Sequence, residues 1–251
     1  MAQIQVFLFV FIRILSFLAV CPVFSHKGVP MLAKVILGGS FVVGAWPYVE
    51  AATTTYPILL FALISVKEVL LGLAMGYVTQ LIFTGVEMAG NMIDFQVGFS
   101  MGQAFDPTFE MMTSQYGKVY YWLSLAVVFV LDLHHFLIKG MLLSFELIPT
   151  GALPIQGSTV EGIVKLFVGT FEMAINLAAP LVVGVLVIDV VLGVISRTIP
   201  SLNVLMLGMP IKNAVSFALF LLVLPNLVSY LGKKLPEAVS FLQEFIQSLS
   251  L

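Results

Sequence analysis

The chain has 251 residues, 60% of them hydrophobic and 10% charged, with a formal net charge of −2. Soluble globular domains carry about 25% charge, so this composition, with a mean hydropathy of +1.11, excludes one. The small net charge gives no basic surface for nucleic acid, and a lone cysteine, Cys21, excludes an internal disulfide.

The first apolar run covers 4–20. It mimics a signal peptide, but no Lys or Arg precedes it, Arg13 interrupts it and no A-x-A site follows. Val20 is bulky where a lipoprotein cleavage site needs a small residue, so the segment is read as retained. Further runs cover 31–48, 57–83, 119–147, 163–195 and 214–231. About 20 residues cross about 30 Å of hydrocarbon, so the plain expectation is about six membrane helices. Pro22, Pro30, Pro149, Pro154, Pro200 and Pro210 fall between the runs, Trp46-Pro47 lies at the end of the second, and all mark helix ends. With no polar domain, low-complexity linker or repeat, the chain reads as one all-α integral membrane unit, 1–251.

Orientation is only partly legible. Lys27, Lys118, Arg197 and Lys212 share one side of a six-span arrangement, the cytoplasmic side by the positive-inside rule. Lys233 and Lys234 fall on the other side, which leaves the C-terminus unassigned.

Met88, Met92, Phe95 and Phe99 follow an i, i+4, i+7, i+11 pattern. It extends the third helix to about Val97, roughly 40 residues or about 60 Å, or else a kink falls at Gly85 or Gly90. "VGFSMGQAFDP", 97–107, comes next. It is too broken by glycine for a membrane span and too apolar for an ordinary loop. Met88, Met92, Met101, Met111 and Met112 cluster with Phe95, Phe99, Phe105 and Phe109 in this region. Such a cluster reads either as a connection packed on the protein's own surface or as an adaptable seal, because Met is unbranched and conforms to irregular shapes.

The runs are not built to face lipid alone. Arg13, Lys34, Lys67, Glu68, Asp132, His134, His135, Glu172 and Asp189 interrupt them. Each Arg, Lys or Asp at a bilayer centre costs about 2.5–3.5 kcal/mol, so these groups must face protein or water. Glu68, Gly72, Gly76 and Gln80 form one helical stripe, Glu172, Asn176, Pro180 and Gly184 a second, and Asp189, Gly193 and Arg197 a third. Gly72 and Gly76 form a G-x-x-x-G, which lets two backbones approach closely. The seams serve either the chain's own helices or packing within a larger assembly.

Arg197, Pro200, Asn203, Pro210 and Lys212 bracket "VLMLGM". The two prolines argue against a continuous helix there, so a helix–turn–helix corner is expected. "DLHH", 132–135, invites a metal or proton-relay reading. Adjacent histidines on a helix point about 100° apart, so no shared ligand face and no metal site is expected. No nucleophile elbow, HExxH, phosphate loop or paired catalytic carboxylates occur; neither catalytic residues nor a cofactor are expected.

Two stretches are family-specific: "GNMIDFQVGFSMGQAFDP", 90–107, and "GVISRTIPSLNVLMLGMPIKN", 193–213. A weaker one, "RILSFLAVCPVFSHKGVP", covers 13–30. Together they make the chain resemble, nearly end to end, the FliR family of flagellar export-gate proteins, which has relatives in virulence type III secretion. The resemblance implies helical hairpins in a helical hetero-oligomeric export gate with FliP-like and FliQ-like subunits, and FlhB-like and FlhA-like components nearby. It implies the inner membrane at the flagellar basal body as the location and unfolded flagellar proteins as the substrates. It also implies that Gly98, Phe99, Ser100, Met101, Gly102, Gln103, Ala104, Phe105, Asp106 and Pro107 plug a central channel. Arg13, Glu68, Gly72, Gly76, Asp189, Gly193, Arg197, Pro200, Asn203, Pro210 and Lys212 are then expected to pack against other subunits. The rival readings are an injectisome homologue and a secondary transporter of small solutes or ions, which broken helices and buried charge also suit.

Overall fold

A computed structural model describes residues 2–26, 28–49, 55–99, 114–151, 157–199 and 204–250. Among these the chain is helical, without strands: α1 (Ala2–Val20), α2 (Pro22–Ser25), α3 (Met31–Ala45), a 3-10 turn (Trp46–Tyr48), α4 (Ile58–Val97), α5 (Gln115–Val130), α6 (Leu133–Leu147), α7 (Gly157–Thr198) and α8 (Val204–Ser250). Five helical segments are long and apolar enough to cross a membrane, or six if α5 and α6 count as one broken span. The all-α membrane reading therefore stands.

The helix ends follow the chemistry expected of them. Pro22 opens α2 behind an extended Cys21 at its N-cap, and Pro30 is the N-cap of α3. Proline is pre-organised for these positions because the first helical N–H groups have no intrahelical acceptor. The third helix runs uninterrupted for 40 residues to Val97, so no break occurs at Gly85 or Gly90.

Two expectations fail. The run 119–147 is not one helix: Asp132 adopts a left-handed conformation, φ 56 and ψ 21, and caps the start of α6. Aspartate tolerates that region better than most residues. Pro210 does not end a helix but lies inside α8, which continues to Ser250. An interior proline costs about 3 kcal/mol in water. Neighbouring helices offset this cost in membrane proteins. The rest of the predicted corner, Pro200 and Asn203 between α7 and α8, lies outside the described residues.

The helices divide into two compact units. The first comprises Met1–Ile82, Val128–Val168 and Leu235–Leu251. Its centre is α1, which buries Val6, Phe9, Val10, Arg13, Ile14, Phe17 and Leu18. That three-and-four spacing makes one continuous helical face. The second comprises Phe83–Val127 and Gly169–Lys234. Here α7 buries Met173, Ala174, Leu177, Ala178, Leu181 and Val185 on one face, again at helical spacing. Its other face leaves Ile175, Val183, Leu186, Val187 and Val190 exposed.

Candidate functional site

Four of the residues expected at subunit contacts are used inside the first unit. Arg13, fully buried, donates from Nε to Glu68 Oε2 at 2.5 Å. Its Nη1 donates to the carbonyls of Ser144 at 3.0 Å and Ile148 at 3.1 Å. Its guanidinium also lies over the Phe145 ring, 4.4 Å from the centroid. Those two carbonyls belong to the C-terminal end of α6, where a cation is favoured by the helix dipole. Glu68, 1% exposed, takes a second hydrogen bond at Oε1 from the Gly151 N–H at 2.8 Å. The pair thus ties α1, α4 and the end of α6.

Gly72 and Gly76 allow that approach. A Cβ on Gly72 would strike Ser16 Oγ and the Arg13 carbonyl, and one on Gly76 would strike Val20 and the Phe17 carbonyl. The G-x-x-x-G is therefore an intrachain contact of α4 with α1. The charges and glycines here are covered by the chain's own helices.

In the second unit, the end of α4 meets the start of α5. Gly90 lies so close to Gly117 that any Cβ would collide with the Gly117 backbone. One turn further on, Asp94 is 3% exposed. Its carbonyl accepts from the N–H groups of Gly98, at 3.1 Å, and Phe99, at 3.0 Å. Gly98 has φ +101, a conformation that favours glycine and closes a helix. The same residue's side chain reaches the other end of the connection. Its carboxylate accepts from Ser114 Oγ and, at 3.3 Å, from the Tyr116 N–H. Ser114 Oγ in turn accepts from the Gly117 N–H at 2.7 Å, as a helix N-cap does. Asp94 therefore holds both ends of the 100–113 connection. Of the expected plug, Gly98 and Phe99 are described; Ser100 to Pro107 lie outside the described residues.

An aromatic row supports this anchor. Phe99 and Tyr116 have ring centroids 6.3 Å apart, Tyr116 and Phe220 5.7 Å, and Tyr120 and Phe220 6.1 Å. Tyr116 and Ser216 hydroxyls are hydrogen-bonded at 3.0 Å.

Asp189 pairs with Lys212 and accepts from Gln96 Nε2 at 3.0 Å. This links α7, α8 and the end of α4 within the same unit. The other members of the third stripe remain uncovered: Arg197 is exposed, and nothing lies within 4 Å of a Cβ built on Gly193. Glu172, Asn176 and Pro180 of the second stripe are also exposed. Beside them, Met88, Met92, Phe95, Ile175 and Val182 line an open apolar groove of about 610 Å³.

The sequence reading missed the Asp94 anchor. Asp94 lies inside the 90–107 motif, but its partners Ser114 and Tyr116 are about 20 residues away, beyond any helical period. What the site can do is mechanical: it fixes where a 14-residue connection leaves and rejoins a rigid helical pair.

Residues 4–238 match the family described as bacterial export proteins, family 1. The flagellar biosynthetic protein FliR of Bacillus subtilis is 32% identical over 218 residues, covering 86% of this chain and 84% of the relative. FliR of Escherichia coli is 25% identical over 242 residues, covering 96% and 92%. The Yop proteins translocation protein T of Yersinia pestis is 28% identical over 221 residues, covering 81% and 83%. The resemblance carried by 90–107 and 193–213 is borne out: the chain belongs to family 1 of the bacterial export proteins, the family of the FliR proteins.

Proposed function

We propose that this chain is a channel-forming, non-enzymatic subunit of the flagellar type III protein-export apparatus in the bacterial cytoplasmic membrane. It assembles with FliP-like and FliQ-like subunits, alongside FlhB-like and FlhA-like components, and unfolded flagellar proteins pass through the resulting conduit. Family membership and the membrane-length helices support the coarse reading, a membrane component of a type III export apparatus. The 32% identity to a flagellar relative, against 28% to the Yersinia protein, supports the flagellar assignment over an injectisome.

Residues 98–107 act as the plug. The observation that carries this reading is the anchoring of both ends of the connection on one buried aspartate at the tip of a 40-residue helix. A segment that must seal and yield needs a fixed base, and its methionines and phenylalanines suit an adaptable seal. Subunit packing is assigned to Asp189, Gly193, Arg197, Pro200, Asn203, Pro210 and Lys212. The exposed Gly193 and Arg197 of α7 support that assignment.

The test replaces 98–105 with a shortened Gly-Ser segment in cells expressing the whole apparatus. Ion conductance across the membrane should rise; unchanged conductance overturns the plug. A Met101→Cys variant should crosslink to a translocating flagellar protein. Crosslinks to partner subunits alone would make the chain a scaffold.

A further inference from the structure

Three metal-ligating side chains lie together at the break between α5 and α6. Asp132 is the left-handed N-cap residue of α6, three residues before His135. Asp132, His134 and His135 each offer a ligand atom, and these atoms all lie within 4.8 Å of one another. The two imidazole rings have centroids 4.1 Å apart at an interplanar angle of 37°, and His135 Nδ1 lies 3.7 Å from Asp132 Oδ1. His134 Nδ1 is buried with no hydrogen-bond partner. His134 and His135 remain successive residues of α6, yet their rings lie side by side with Asp132 next to them, so the offset along the helix does not keep their ligand atoms apart.

We propose that Asp132, His134 and His135 form a binding site for a divalent transition-metal ion, with zinc as the fitting class. Zinc binds imidazole nitrogen and carboxylate oxygen at about 2.0–2.2 Å, which puts tetrahedral ligand atoms about 3.3 Å apart. The ligand atoms, all within 4.8 Å of one another, are within about 1.5 Å of that spacing. Two imidazoles and a carboxylate favour zinc, nickel or copper over magnesium or calcium. The N-terminal end of α6 opposes a cation through its partial positive charge, and the Asp132 carboxylate offsets it. Lys139, one turn beyond His135 on the same face, adds a further opposing charge. Asp132 and His135 side chains are 74% and 68% exposed, not buried under the chain's own helices. Three protein ligands leave a fourth position for water or for a side chain of a neighbouring subunit. Bound there, the ion would fix the geometry of the break.

The test uses the full chain, purified in detergent without a polyhistidine tag and stripped with chelator. Cobalt(II) is titrated in and read by its ligand-field absorption, with zinc then added in competition. One ion per chain is expected, displaced by zinc. His134→Asn, His135→Asn and Asp132→Asn should each weaken binding at least about tenfold, while His26→Asn leaves it unchanged and Lys139→Gln leaves it equal or tighter. Unreactive Cys21 in each variant certifies the fold; where an Asn variant exposes it, the Gln variant is read instead. No saturable binding, or affinity indifferent to all three substitutions, overturns the site.

Discussion

Removing the Glu68 carboxylate should open the first unit by an amount its own geometry sets. In Glu68→Ala the fully buried Arg13 keeps two carbonyl acceptors but loses its counter-ion, and the Gly151 N–H loses its acceptor. Leaving one member of a buried pair uncompensated costs about 3–5 kcal/mol, a large part of the about 5–15 kcal/mol that holds a domain folded. At 1.36 kcal/mol per factor of ten, about 4 kcal/mol raises the open population about a thousandfold. Cys21 reports that population. It is fully buried in the same unit, and burial pushes its thiol from 9.0 up to about 11, against weaker opposing hydrogen bonds involving Thr79, Val23 and Phe24. At pH 8 that leaves about a hundredfold less thiolate than in the opened chain, so maleimide labels almost only the open form. The labelling rate should therefore rise about a thousandfold in Glu68→Ala. It should return to within about tenfold of the parent in Arg13→Met/Glu68→Leu, where no charge is left unpaired. Glu68→Ala labelling within about threefold of the parent, or a double variant as fast as the single one, would refute the reasoning.

Asp94→Ala should make membranes containing the apparatus leak ions, as expected of the shortened 98–105 segment, with normal chain accumulation; it leaves the Ser114 O–H and the Tyr116 N–H without their carboxylate acceptor, at about 1–3 kcal/mol each. Parental conductance in Asp94→Ala would count against the anchor. Asp189→Ala should lower co-purification with partner subunits more than membrane insertion, and exchanging the charges (Asp189→Lys/Lys212→Asp) should restore it; normal yield from the single variant contradicts the role. Gly72→Ala should speed Cys21 labelling because its Cβ meets Ser16 and the Arg13 carbonyl. Gly193→Ala, with open space around it, should change labelling by less than about threefold yet reduce co-purification; equal effects of the two on labelling would undo the distinction.

Much of the helix count was legible because hydrophobicity is summed over many residues and survives local irregularity. The extension of α4 to Val97 was legible from four residues, Met88, Met92, Phe95 and Phe99, whose spacing no loop maintains. Asp132 was not: a single residue in a left-handed well breaks an apolar run without altering its composition. Nor was the continuation of α8 past Leu231, since the residues just beyond it include the charged Lys233, Lys234 and Glu237. The need to cover Arg13 and Glu68 was clear from the cost of a bare charge, but what covers them was not. Their partners lie 55 to 135 residues away, where the only link is tertiary structure.

The double grip of Asp94 also separates two properties that a chain normally couples. With departure and return pinned at a single carboxylate, residues inserted or deleted between 99 and 114 leave the supporting hairpin undisturbed. Doubling such a stretch adds only about 0.6 kcal/mol of closure entropy. If the segment is the plug proposed above, selection could resize it for bulkier or slimmer cargo while the helix that carries it keeps its register.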